Sequence, residues 1–366
     1  MHKPEYCVCQ FSGMVKNFNQ MKKSLLFFAL FSLFWVSCQT GNEDPELSVT
    51  EVKLTLNKFG IFSDGEDKIT FSAELKDGTD VTLESEFYLD NELLEVNEYS
   101  STTVGNHEVY ALYKKVKSHV EIIGVIEKQE SPARFTTKVL VEDFTGSWCG
   151  YCPRVAYKLE EAANKNPNII TVGVHYGDKM EYKLVNQMIS VYGITGFPTA
   201  VLNRFSAWSE SENELNLSLT QEAGLGIAIA TAQNGTDLDV TVEVGFAKTY
   251  NNDLALVVYL VEDGIVDPQR NYMNADATSP WYQAGDPISN YVHNHVLRVA
   301  LTDIFGYTIP NYQTLERNTF TAVLSASTLG YNLQNLHVVA FVLEAAGSKN
   351  AQNVQIVKAG QIVDFD

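Results

Sequence analysis

Cys149-Gly150-Tyr151-Cys152 restricts this chain more than any other feature. It follows a strand-like run, Lys138 to Phe144, and opens a segment in which Val155, Ala156, Leu159, Ala162 and Ala163 share one helical face. Two cysteines so spaced at a helix start lie within about 6 Å at Cα and can bridge without moving the backbone. Unsatisfied N–H groups and the helix dipole favour a thiolate at Cys149, lowering its pKa from roughly 8.5. Cys149 is therefore the expected nucleophile and Cys152, nearly a turn further in, the resolving thiol. Pro153 falls in the first turn, where its missing N–H costs little. Zinc sites and static disulfides also use CxxC. Zinc needs a second Cys or His pair, and the other cysteines are Cys7, Cys9 and Cys38, all near the amino terminus; no metal and no other cofactor is expected.

That amino terminus reads as an address. Met21-Lys22-Lys23 is a basic n-region, and Leu25 to Val36 is an apolar run interrupted by Ser32. The run falls short of the roughly 20 residues a membrane span needs. Ser37 before Cys38 resembles the lipobox of bacterial lipoproteins, although Trp35 departs from the Leu-like residue usual there. The resemblance implies a signal peptide over residues 1–37 with translation from Met21, loss of Cys7 and Cys9, a lipid (palmitate) on Cys38, and a polar tether over 38–46.

The 366 residues suggest two or three domains. Residues 47–130 alternate apolar and polar side chains, as in Val49 to Leu56 and Ile69 to Leu75, with Asp64-Gly65 and Asp77-Gly78 at turns. About seven short strands of this kind predict an immunoglobulin-like β-sandwich. Residues 135–222 read strand, helix, strand, helix, strand, an α/β segment with parallel pairing at its start. Residues 224–366 return to period two and predict a second β-sandwich, whose long loop, Asp267 to Asn290, offers Trp281 and Tyr282 to a partner. With 26 basic against 45 acidic residues the net charge is −19, which excludes nucleic acid as a natural partner.

The middle segment resembles thioredoxin through Asp143-Phe144, Trp148-Cys149-Gly150-Tyr151-Cys152 and Tyr192-Gly193-Ile194-Thr195-Gly196-Phe197-Pro198-Thr199. The resemblance implies that Pro198 is cis and lies against the dithiol, aligning a substrate strand. It makes Asp143, six residues before Cys149, the buried acid that exchanges a proton with the inner thiol, and places Trp148, Tyr151 and Phe197 where substrate is met. Tyr151 replaces thioredoxin's proline and is similar to the dipeptide of periplasmic disulfide isomerases, which leaves the direction of electron flow open. The segment after Asn203-Arg204 suggests a trimmed sheet without a final hairpin.

The whole chain resembles the outer membrane protein 28-related family of secreted lipoproteins, through the lipobox, Asp143 to Pro153, Val201-Leu202-Asn203-Arg204 and Tyr291 to Arg298. That implies a thioredoxin-like core and an outer-membrane lipoprotein on the periplasmic face or cell surface. The expected activity is envelope thiol-disulfide exchange, with cysteine-containing exported proteins or a redox partner as clients. The alternative is a non-enzymatic binding lipoprotein whose Cys149–Cys152 disulfide is static. His293 and His295, two apart on one strand face, suit either a metal or an interface between segments. His175, at a strand's carboxyl end, is expected to anchor a loop or touch the dithiol. His107 and His119 stand isolated.

Overall fold

The computed structural model describes residues 49, 51–127, 135–325, 330–344 and 350–366. Cys38 and the segments expected to be signal peptide and tether, residues 1–46, lie outside the described residues.

Alternation sets the amino-terminal β-region. Val52, Leu54 and Leu56 are buried along Val52–Leu56, which pairs antiparallel with Ile69–Leu75 so that Leu54 faces Ala73 across the ladder. Glu98–Tyr99 completes a three-stranded sheet. A second, six-stranded sheet has Gly105–Tyr113 between Glu86–Leu89 and Glu121–Ile126. Their inward side chains, including Phe71, Phe87, Val109 and Ile123, form one core.

In the next segment all seven residues of Val139–Thr145 are buried, the mark of a central strand covered on both faces. It pairs parallel with Ile169–His175 and antiparallel with Thr199–Leu202. Helices α1 (Cys152–Lys165) and α3 (Glu212–Leu219) share a core with Val139, Val141 and Ala200, while α2 (Val185–Tyr192) packs with Leu140, Phe144 and Val172. Alternate residues of one strand thus face opposite helical layers. Gly193 ends α2 in the left-handed conformation, φ 63°. A short final hairpin does exist, against the trimmed sheet expected from sequence: Thr199–Leu202 pairs with Ser206–Ala207 through a turn with Asn203 and Arg204 at positive φ. Asn tolerates that conformation better than most residues.

The carboxyl-terminal segment differs from a separate sandwich. Gly173 pairs with Val296 in parallel and donates its N–H to the His295 carbonyl at 2.8 Å. Through that contact the α/β sheet continues into Val296–Ala300, Leu254–Glu262, Leu336–Glu344 and Ala351–Lys358, making nine strands in all with Tyr307–Thr308. A four-stranded sheet packs on one face of this extension through Leu225, Val240, Val242, Leu256, Val258 and Val338. On the other face Tyr259, Val339 and Phe341 join the core of Leu140, Phe144 and Ile170. A sandwich is present, then, but one of its layers belongs to the α/β sheet, because Leu254–Val261 is buried at every position and needs cover on both sides.

Candidate functional site

Cys149 and Cys152 form a disulfide with Cα atoms 5.4 Å apart. The strand Val139–Thr145 delivers the chain to a turn in which the Cys149 N–H bonds the Gly146 carbonyl at 2.9 Å, and α1 begins at Cys152 with Pro153 next. Cys149 thus precedes the helix by a turn, still at its electropositive end. Both cysteines are buried, at 4% and 1% exposure, whereas Trp148 and Tyr151 on either side are half exposed. Trp148 donates its indole N–H to the Tyr176 carbonyl at 2.7 Å and meets Phe197 edge-on at 5.4 Å. Phe197 also stacks on Tyr176, and the Phe197–Pro198 peptide is cis. Trp148, the residue before the dithiol, thus meets the Phe197-Pro198 turn. Tyr151 meets Tyr272 edge-on, ring centroids 5.3 Å apart.

Asp143 is 5% exposed, and its Oδ1 has no hydrogen-bond partner among the described residues. Burial, and then the charge of Glu210, push its carboxyl up to about 7. Asp143 and Cys152 line one cavity of about 260 Å³ together with His175, Tyr291, His293 and His295. His175 anchors a loop, its Nδ1 2.7 Å from Asp178 Oδ2, which also accepts the Ser147 N–H. The two later histidines do not share a strand face, because the strand breaks at His295, φ 52°. His293 is buried against the His175 ring and sits 3.3 Å from the Asp267 carbonyl; burial and then His175 lower it to about 4. His295 instead meets Thr171 Oγ1 at 3.2 Å and lies by Asp263.

One part of the site carried no readable sequence signal. Residues 269–272 lie along the CxxC turn. Gln269 Nε2 donates to the carbonyls of Cys149 (2.8 Å) and Gly146 (3.3 Å), Arg270 N–H to Ser147 O (2.8 Å) and Tyr272 N–H to Gly150 O (2.9 Å). Gly150 is needed there, since a β-carbon would fall 2.3 Å from the Tyr272 ring. Trp281, expected to face a partner, instead donates to the Pro153 carbonyl at 3.2 Å and packs on Tyr157 and Tyr291, while Tyr282 stays half exposed. Main-chain carbonyls recognise any chain that offers donors at the right place, so composition could not reveal this contact.

Residues 127–217 match the thioredoxin family model. A thioredoxin of Methanocaldococcus jannaschii is 39% identical over 67 residues, covering 18% of this chain and 73% of that protein. The chain belongs to the thioredoxin family. Its thioredoxin domain does not stand alone, for residues 185–362 match the family described as Outer membrane protein Omp28. That match begins inside the thioredoxin domain at α2 and runs on through the shared sheet. The solved structure titled HBP35 of Porphyromonas gingivalis superposes with a TM-score of 0.50 at 21% identity, over 62% of this chain and 76% of that one, a likeness of fold.

Proposed function

We propose that the protein is an envelope thiol-disulfide oxidoreductase, held to the outer membrane by a lipid on Cys38, that exchanges disulfides with cysteine-containing exported proteins. The observation that carries this reading is Asp143. A buried polar group left without a partner costs about 1–3 kcal/mol, and a static disulfide has no use for one. On the Cys152 cavity it has a use. A substrate thiolate attacking Cys149 breaks the Cys149–Cys152 bond, forms a mixed disulfide and leaves Cys152 as a thiolate, which takes the Asp143 proton. In reverse, the Asp143 carboxylate removes the Cys152 proton, and Cys152 then attacks Cys149 and expels the substrate thiolate. Trp148, Tyr151, Phe197 and cis-Pro198 would seat the substrate chain.

Cys152→Ser should accumulate mixed disulfides with exported proteins, visible on non-reducing gels, whereas Cys149→Ser should trap none. Equal behaviour of the two variants counts against exchange. Burial of both sulfurs under residues 269–272 favours a second reading, a binding lipoprotein built on a static disulfide. Equilibration with glutathione and dithiothreitol separates the two: a static bridge lies below about −300 mV and a working one above. In the same proposal the amino-terminal region is an immunoglobulin-like spacer. Acyl chains add roughly 0.8 kcal/mol for each buried methylene, so Cys38→Ala should move the protein from the membrane pellet to the soluble fraction. Retention in the pellet after a high-salt wash would sink the anchor.

A further inference from the structure

We infer that residues 269–272 clamp the Cys149–Cys152 turn and favour its disulfide over its dithiol, with Gln269 as the positioning residue, so that the reduced pair is the stronger electron donor to client disulfides. The inference rests on the exchange reading above and assigns the poise of the pair to a segment outside the thioredoxin domain. Arg270 N–H and Tyr272 N–H hold the carbonyls of Ser147 and Gly150, and Gln269 Nε2 holds those of Gly146 and Cys149. One short run of chain thus takes every main-chain acceptor from Gly146 to Gly150 except that of Trp148.

Two of these carbonyls also set the spacing of the cysteines. The Gly146 carbonyl accepts the Cys149 N–H at 2.9 Å, and the Cys149 carbonyl accepts the Cys152 N–H at 3.2 Å. Gln269 therefore bonds the acceptor of each turn that carries a sulfur. Two unbonded sulfurs need more room than a bonded pair, so reduction pushes these turns open. Donors fixed against the carbonyls oppose that opening. The clamp is relaxed on the disulfide and strained on the dithiol, and the difference stabilises the disulfide.

A slack loop would follow the turn instead of holding it, but this one is braced. Gln269, 2% exposed, exchanges two main-chain hydrogen bonds with Ile288, at 3.1 and 2.8 Å. Asn271, 1% exposed, donates from Nδ2 to the carbonyls of Trp281 and Gly285, and its N–H reaches Asp286 Oδ1 at 2.9 Å. Trp281 in turn donates to the Pro153 carbonyl in the first turn of α1. The segment is thus tied to itself, to the turn that carries the dithiol and to the helix that follows it.

In the favoured direction the Cys149 thiolate attacks one sulfur of a client disulfide and expels the other as a thiolate. Cys152 then attacks Cys149, the mixed disulfide breaks and the second client sulfur leaves. The client gains two electrons and the two protons of the cysteines, and the pair becomes a disulfide; a dithiol donor restores it by the same steps in reverse. Equilibration with reduced and oxidised glutathione at pH 7 tests the clamp. Gln269→Met keeps the length of the side chain and removes its donors. Its equilibrium constant for reduction should rise about 10-fold over the native value, the worth of one buried hydrogen bond and about 30 mV in potential. The pH profile of Cys149 alkylation by iodoacetamide should stay where it is. An unchanged equilibrium constant in a variant that folds overturns the inference, as does a shift of the alkylation profile by about one pH unit, which would make thiolate charge the cause. Linkage supplies a second measurement on the native protein, because the disulfide must favour the clamp by the factor with which the clamp favours the disulfide. The amide hydrogens of Arg270 and Tyr272, followed by NMR, should exchange about 10-fold more slowly in oxidised than in reduced protein. Equal rates overturn the clamp even if Gln269→Met does not fold. A native pair that excess dithiothreitol leaves oxidised would instead overturn the exchange reading, and this inference with it.

Discussion

At pH 8, Asp143→Asn is expected to unfold at higher denaturant than the native protein while its Cys152 resolves mixed disulfides about 10²–10⁴-fold more slowly. Both effects come from one buried carboxyl. Its folded-state pKa of about 7 exceeds the value of about 3.9 for an unfolded aspartate. The folded chain therefore binds the proton more tightly between those values and loses stability as pH rises, and above pH 7 the full cost stands, on the order of 4 kcal/mol. Asn has the shape of the neutral acid and never ionises, so it removes the cost and also the proton acceptor. His293 acts in the opposite sense. Its pKa, lowered to about 4, makes stability rise with pH between about 4 and 6.5, where the unfolded chain binds the extra proton. Urea titrations should thus show a flat native profile over that range and a rising one in Asp143→Asn. A variant no more stable than its parent at pH 8 would mean that Asp143 is not buried as described.

Arg204→Ala should cost about 3–5 kcal/mol in urea unfolding, because it strands a buried charge. Arg204 and Glu142 are both fully buried, with Nε 2.9 Å from Oε2 and Nη2 3.0 Å from Oε1. Nη1 donates to the Ile304 carbonyl at 2.7 Å, and Nη2 also meets the Tyr259 hydroxyl. Although burial opposes its charge, Glu142 holds the guanidinium above its ordinary value. Arg204 and Glu142 belong to the thioredoxin domain, Tyr259 and Ile304 to the carboxyl-terminal segment, so the pair rivets the two. Replacing both charges, Glu142→Leu with Arg204→Met, should restore most of the loss, since no unpaired ion remains. A double variant as unstable as Arg204→Ala would show that geometry rather than charge is at issue.

Val201-Leu202-Asn203-Arg204 stood out in the sequence, but nothing there showed that Arg204 would be buried against Tyr259 from 55 residues downstream. Trp281 illustrates the same limit: an aromatic residue in a long loop suits a binding surface, yet its indole is spent on the Pro153 carbonyl. The run Leu254 to Val261 held a usable signal, for eight apolar residues without alternation describe a strand covered on both faces better than one side of a free-standing sandwich.

What could be read from the residues alone is local. A CxxC pair at a helix start, an aspartate six residues earlier, a Gly-Phe-Pro-Thr run and strands of clear period are short-range patterns, because helix dipole, side-chain alternation and chain reach act over a few residues. Long-range packing, by contrast, carries the sheet on from Gly173 to Val296, lays residues 269–272 along the dithiol turn and leaves a cavity behind Asp143. The first is made by main-chain N–H and carbonyl groups, which every residue carries alike, the second by such groups together with the Gln269 side-chain amide, and the third is a space between elements far apart in the chain.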